Sequence, residues 1–422
     1  METSLFRTGQ ALCLLLAIFT SGVMGADEMN GSLRVGAASV TITPEPGIFL
    51  GGYDYNRRAT GTHDDLYAKA VVFENGETAL ALVVLDALSI QPFITQPIAK
   101  DASAKVNSPL LAPTNVIVQA THTHAAPDLT GIYGPDPTHS GLDMGYVNRV
   151  ISAASDAVKS AWENRVPSSL YWRQAECRGW VDNDSEPDIL EPSVTVLEVR
   201  NEQGKTVATL TNFAAHPTVL DGDNTLISAD WVWGFYTAMS RSLPGEHLFL
   251  QGAIGAWIQP KTPDHTFERC AKYGESLAAA VLGAQPRPLE GTRIAVRRQA
   301  VKLPLRNETF RQMTQLGLSP RDLSGETVET EVAWFRIGDA EFATHPGETA
   351  PEFAEATRKM MRTSGPKFIL GLGLDHLGYI VPVRYFDRTS EIKFADYLIS
   401  MSPGRDAGEV MLAALKQVVG EN

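Results

Sequence analysis

Two histidines separated by a single residue, His122 and His124 in Thr121-His-Thr-His124, are placed to do chemistry together. They follow Val116-Ile-Val118, a β-branched run that reads as a buried strand, and alternation at period two sends both imidazoles from one face of the strand end. Two neutral ring nitrogens converging on a point suit a divalent cation, which still needs further ligands from elsewhere in the chain. A His-x-His pair is equally compatible with polar residues capping a strand. A third histidine, His216 in Ala215-His-Pro-Thr218, and a carboxylate, Glu348 in His345-Pro-Gly-Glu348, also sit just past strand-like runs.

Positioning these groups requires strands that end together. Val35–Thr43, Leu66–Phe73 and Thr78–Leu85 read as strands, the last followed directly by Asp86, and 96–106 reads as a helix with Pro97 in its first turn. A helix over about 143–164 places Val147, Val150, Ile151, Ala154, Val158 and Ala161 at helical spacing. Thr206–Ala214 predicts the strand before His216. Ala333–Ile337, a Gly338-Asp339 turn and Glu341–Thr344 predict a hairpin running toward Glu348. Lys367–Leu372 leads through Asp375-His-Leu-Gly378 to Tyr379, and a last helix covers about 406–419. The fold class expected is α/β, a mixed β-sheet or sheets flanked by helices, with the metal site at strand ends.

The 422 residues carry 36 Lys+Arg against 49 Asp+Glu, a net charge of −13 with 44% hydrophobic content, which is globular composition. No basic cluster is present to bind nucleic acid or an anionic lipid surface. Arg7, the apolar run Ala11–Phe19 and the small residues Ser21, Gly22 and Gly25 read as a secretory signal peptide over residues 1–25. The mature chain, 26–422, is then expected to be extracytoplasmic, periplasmic or secreted, with no integral membrane segment. Cys177 and Cys270 remain after cleavage, and the sequence leaves a disulfide and two free thiols both open.

Read in order, Val35-Gly-Ala-Ala-Ser-Val-Thr-Ile-Thr43, Gly61-Thr-His-Asp64, Thr121-His-Thr-His124, Asn212-Phe-Ala-Ala-His-Pro-Thr218, Pro346-Gly-Glu348 and Gly378-Tyr379 resemble the zinc-containing catalytic domain of the neutral, non-lysosomal ceramidases. The resemblance spans essentially all of the mature chain. It implies a Zn²⁺ ion held by His122, His216, Glu348 and Tyr379, with His124 polarising substrate or handling protons and Tyr397, in Tyr397-Leu-Ile-Ser-Met-Ser402, matching an active-site tyrosine. It also implies a catalytic domain without the immunoglobulin-like C-terminal domain of full-length ceramidases. The activity implied is hydrolysis of the amide bond of an N-acyl, ceramide-like lipid by zinc-activated water. A zinc hydrolase of another amide or an ester is one alternative, and a non-catalytic domain that keeps the metal cleft is another.

Two positions depart from the family pattern. Ile258, in Ala253-Ile-Gly-Ala-Trp-Ile-Gln259, stands where ceramidases place a serine, and Asp184 stands where they place an arginine. A serine nucleophile is therefore not expected, and ceramide is expected to be turned over poorly. Of the other histidines, His63 reads as a hydrogen-bonded loop anchor, His345 as a turn residue, His376 as a neighbour of the metal shell, and His139, His247 and His265 as surface residues. Asp230 reads as a positioning residue. Trp231, Trp233 and Trp257 are candidates for core or cleft wall.

Overall fold

Strand-forming runs that are apolar on both faces must be buried between layers, and Ala79–Leu85 and Val116–Ala120 are such runs. The computed structural model describes Met1 and residues 32–420, so the expected signal peptide lies, Met1 apart, outside the described residues. Among the described residues no helix is long and apolar enough to cross a membrane.

The large sheet comprises β1 (Arg34–Thr41), β2 (Tyr67–Glu74), β3 (Ala79–Leu85), β4 (Val116–Ala120), β5 (Val166–Glu176), β6 (Ser193–Asn201), β7 (Thr206–Phe213) and β8 (Glu246–Gln251), with the short strand Arg287–Leu289 beside β5. Its order is β8, β7, β6, β5, β1, β2, β3, β4; the two outermost pairs are parallel and the remaining pairs antiparallel. A second sheet follows as β9 (Ile294–Pro304), β10 (Thr327–Ile337), β11 (Ala340–His345) and β12 (Lys367–Gly371), with only β11 and β12 parallel.

Side-chain alternation stacks these sheets. In β3, Ala79, Ala81, Val83 and Leu85 face the helices α1 (Pro92–Val106), α2 (Met144–Glu163), α3 (Trp231–Ser242) and α4 (Phe267–Gly283). Leu80, Leu82 and Val84 turn the other way, onto Phe335, Phe342 and Phe368 of the second sheet, whose rings stack at 4.6 and 4.3 Å. Each such fully buried ring or leucine contributes about 1.5–3 kcal/mol. On the far side of the second sheet, Val332, Trp334 and Ile369 share a core with α5 (Pro351–Met360) and α6 (Ala407–Gly420). The α/β expectation holds, with helices covering the outer faces of two stacked sheets.

One helix differs from expectation. Gln91 is extended (φ −133°, ψ 165°) and Pro92 takes the first helical position, so α1 starts at Pro92 and Pro97 lies in its interior.

Buried amides tie the two sheets together at the site end. Gln119 Nε2 donates to the carbonyls of Gln251 and Gly371, both at 2.7 Å. Asn212 Nδ2 donates to Leu250 (2.9 Å) and Ile369 (3.0 Å), and Gln251 Nε2 to Thr121 (3.0 Å) and Ala215 (2.9 Å). An amide left unpaired here costs about 1–3 kcal/mol, so these bonds fix where the loops after β4 and β7 begin.

Candidate metal centre

His122 and His124 converge, but not by strand pleat. β4 stops at Ala120, Thr121 N–H donates to Leu85 O (2.9 Å), and His122 N–H donates to Ala87 O (2.8 Å). These bonds hold His122 at φ 72°, a left-handed conformation that costs a non-glycine residue about 1–3 kcal/mol. The turn aims its ring inward, where Nδ1 donates to Leu88 O at 2.6 Å and Nε2 lies 3.4 Å from Nε2 of His124.

His216 leaves β7 by a similar device. Its backbone N–H (3.0 Å) and its Nδ1 (2.8 Å) both donate to Ile258 O, and Trp231 Nε1 donates to His216 O (2.8 Å). Glu348 begins the short strand Glu348–Thr349, which pairs in parallel with Tyr379–Ile380 and puts Glu348 in register with Tyr379. The carboxylate sits at the centre: Oε2 is 3.1 Å from His216 Nε2, and Oε1 is 3.4 Å from His122 Nε2 and 3.2 Å from His376 Nε2. Trp257 Nε1 donates to Tyr379 Oη at 2.8 Å.

The protonation pattern points to a cation. A carbonyl only accepts, so His122 and His216 each carry hydrogen on Nδ1 and, when neutral, present Nε2 lone pairs to the carboxylate. Burial alone pushes the Glu348 carboxyl up; His122 foremost, with His216 and His376, outweighs burial when the rings are protonated and holds the group well below the usual carboxylate range, a positive charge that a cation supplies when the rings are neutral. Lone pairs and an anion thus face one another with no hydrogen between them, which a shared cation satisfies. Ligand atoms around a tetrahedral zinc ion stand about 3.3 Å apart, and the 3.1 and 3.4 Å between the Glu348 oxygens and the Nε2 atoms of His216 and His122 match. Carbonyl-fixed rings are also what metal-binding histidines use. His122, His124 and His216 offer ring nitrogens within 4.8 Å of one another, so the cluster is compatible with a metal ion.

His124 differs from its neighbours because its Nδ1 is sequestered from solvent with no partner. Burial, then the nearby His122 and His216, hold its imidazolium form well below the usual range, so the ring is neutral at pH 7. Burial and then Glu348 push the Tyr379 phenol far up, so a phenolate there needs a cation.

The cluster floors a cleft of about 90 Å³, walled by Leu88, Ile132, Phe310, Met313, Leu323 and Leu377. Tyr397 also lines it, its ring 5.9 Å from Tyr379 and 5.2 Å from Trp257. The structure therefore brings His122, His124, Glu348, Tyr379 and Tyr397 to one cleft, with His216 against Glu348, and adds His376.

Ile258 lies beside the site rather than in the cleft. Its side chain is buried in the helix-side core and offers the cleft neither donor nor wall; its backbone carbonyl, which orients His216, is the functional group. Asp184 N–H donates to Trp257 O at 3.1 Å, and burial pushes its carboxyl up. His247 is buried, not on the surface, bonded to Thr209 Oγ1 (2.8 Å) and Leu243 O (3.2 Å). His345 anchors the end of β11 through Thr349 and Thr357, and burial, then Arg358, lowers its pKa to about 3. His63 stacks on Phe267 at 3.7 Å beside Asp64. Asp230 caps α3 and accepts from Val219 and Leu220 just past His216. Cys177 and Cys270 are buried free thiols.

Fold and site define a two-sheet α/β protein with a buried histidine–carboxylate cluster at the floor of an apolar cleft. Residues 33–240 match the family model described as neutral/alkaline non-lysosomal ceramidase, N-terminal. The chain is 24% identical over 247 residues to the neutral ceramidase of Pseudomonas aeruginosa, covering 54% of this chain and 36% of that protein. It is 26% identical over 300 residues to the neutral ceramidase of Mycobacterium tuberculosis, covering 60% and 46%. The matched segments thus span between about a third and a half of these relatives' own length. The crystal structure of the Pseudomonas aeruginosa neutral ceramidase superposes with a TM-score of 0.75 at 17% identity, over 92% of this chain and 75% of that one. Residues 33–240 thus match the N-terminal model of that family, and the chain shares the fold of the Pseudomonas aeruginosa neutral ceramidase.

Proposed function

We propose that this chain is a zinc-dependent amidohydrolase that cleaves the amide bond of an N-acyl, ceramide-like lipid, and that it acts outside the cytoplasm after removal of its N-terminal segment. The observation that carries this reading is the Glu348 carboxylate set 3.1 and 3.4 Å from two histidine nitrogens whose hydrogens are committed elsewhere. The similarity to these relatives supports the reaction, since they are named neutral ceramidases. His122, His216, Glu348 and Tyr379 would hold the ion, a mixed neutral and anionic set that zinc favours. When bound, zinc polarises a carbonyl and makes water acidic enough to attack near neutral pH.

The chain's own groups carry the rest. His124, neutral and lining the cleft, takes a proton from the attacking water and returns it to the leaving amine. Tyr397 O–H donates to the developing oxyanion. The apolar wall from Phe310 to Leu323 holds the acyl chain and excludes water. No serine nucleophile is used, because position 258 is an isoleucine turned into the core.

The test is fatty-acid release from a panel of N-acyl amides, ceramides included, by zinc-loaded protein with Glu348→Gln as control. Release that a chelator and the substitution both abolish supports the reading. Absence of release from every substrate, or release that Glu348→Gln leaves intact, sinks it.

A further inference from the structure

We propose that His376 is a positioning residue for Glu348: its Nε2–H donates to Oε1, Ser89 sets its tautomer, and Oε2 is thereby turned toward the cation shared with His216. The proposal rests on reading the cluster as a metal centre.

A carboxylate has two oxygens and about four lone-pair sites, so a cation alone leaves it free to swing between one-oxygen and two-oxygen binding. The oxygens differ in one partner: Oε2 has His216 Nε2 at 3.1 Å, while Oε1 has His122 Nε2 at 3.4 Å and, besides it, His376 Nε2 at 3.2 Å. His376 is built differently from His122 and His216. Their Nδ1 atoms face backbone carbonyls, which only accept, and so their Nε2 atoms are bare. The Nδ1 of His376 instead faces the hydroxyl of buried Ser89 at 2.7 Å, and a hydroxyl can donate. The anionic carboxylate cannot donate, so Nε2 carries the hydrogen and Nδ1 accepts from Ser89. His376 thus has the opposite tautomer from its two neighbours, suited to gripping the carboxylate from behind.

The ring is also held along its backbone. His376 N–H donates to Asp375 Oδ1 (2.8 Å), and buried Asp375 is clamped by both terminal nitrogens of Arg321 (2.5 and 2.9 Å) and by Thr330 Oγ1 (2.6 Å). Partners of this kind set ligand orientation, and losing one typically lowers metal affinity about 10–100-fold.

The experiment measures zinc affinity by chelator competition and the visible absorption spectrum of the cobalt(II)-substituted protein, for wild type, His376→Phe, His376→Gln and Ser89→Ala. The proposal expects His376→Phe to weaken zinc about 10–100-fold and alter the cobalt bands. It expects His376→Gln, whose amide N–H reaches the same oxygen, to restore most of the affinity, and Ser89→Ala to fall between. Ser89→Ala keeps the test open should the Phe variant fold poorly. Wild-type affinity and an unchanged cobalt spectrum in both His376→Phe and Ser89→Ala overturn the proposal. So does loss of zinc in His376→Gln as complete as in His122→Ala, which makes His376 a ligand. A wild-type chain that binds neither metal overturns the metal reading itself.

Discussion

A methyl group added at Gly52 meets His124 first. The added carbon would lie 2.5 Å from Cγ, 2.6 Å from Nδ1 and 2.8 Å from Cβ of that ring, on a backbone with φ 104°. Restoring an ordinary contact of 3.4 Å requires the ring to withdraw by about 1 Å, a misplacement that can cost 10²-fold in rate. The backbone adds about 1–3 kcal/mol of strain, which lowers stability without touching chemistry. Gly47 separates the two effects, because its φ is 103° but nothing lies within 4 Å of an added methyl. Gly52→Ala should lose about 10² in kcat/KM while keeping its zinc. Gly47→Ala should lose comparable stability and keep its activity. Steady-state kinetics on the best N-acyl substrate, with metal analysis and thermal melts of the same samples, make the comparison. Equal kcat/KM for the two variants would refute the role given to His124.

His124→Ala should retain zinc and lose about 10²–10⁴ in rate, and loss of metal in step with activity would make His124 a ligand instead. Replacing both His122 and His216 by alanine should remove the metal, checked by elemental analysis; full occupancy in that variant would place the ion elsewhere. Asp86, at the end of β3, has a pKa raised to about 7, by burial above all, against 3.8 for its ordinary value. A raised folded-state value means that the folded chain binds more protons, so this contribution is full below about pH 4 and is lost as pH rises through about 7. Asp86→Asn should flatten the stability profile across that window, measured by urea denaturation; an unchanged slope counts against it. Gln251→Leu should cost about 2–5 kcal/mol by stranding the carbonyls of Thr121 and Ala215, and a loss under 1 kcal/mol in the same assay would show that the amide ties matter little.

Much of the site was legible because its residues follow strong local signals. His122, His216 and Glu348 each come just after a dense apolar strand, β4, β7 and β11, although these strands are not sheet neighbours and only the tertiary fold brings their ends together. The same runs marked β1 to β4, β7, β11 and β12 to within a few residues. The strands β5 and β9 have mixed burial and alternate weakly, so pattern did not single them out. Tertiary roles were harder. The resemblance set Ile258 opposite a serine, but only the fold shows that its side chain belongs to the core and that its carbonyl orients His216. His247 looked superficial because nothing local reveals that Thr209, on the neighbouring strand, pairs with it. A usable signal was passed over in Gln119, Asn212 and Gln251, polar amides inside apolar strands, which are tolerated only where something satisfies them. Contacts of Ser89 with His376 and of Trp257 with Tyr379 span far too much sequence for spacing to reveal.

The central claim is that a zinc ion belongs between the carboxylate of Glu348 and the bare nitrogens of His122 and His216. Crystals of protein purified with zinc and without chelator, measured on both sides of the zinc absorption edge, test it directly. The account predicts one strong anomalous peak per chain, about 2.0–2.2 Å from His122 Nε2, His216 Nε2 and a Glu348 oxygen. An anomalous map featureless at that point, from protein that elemental analysis shows to carry zinc, would contradict it.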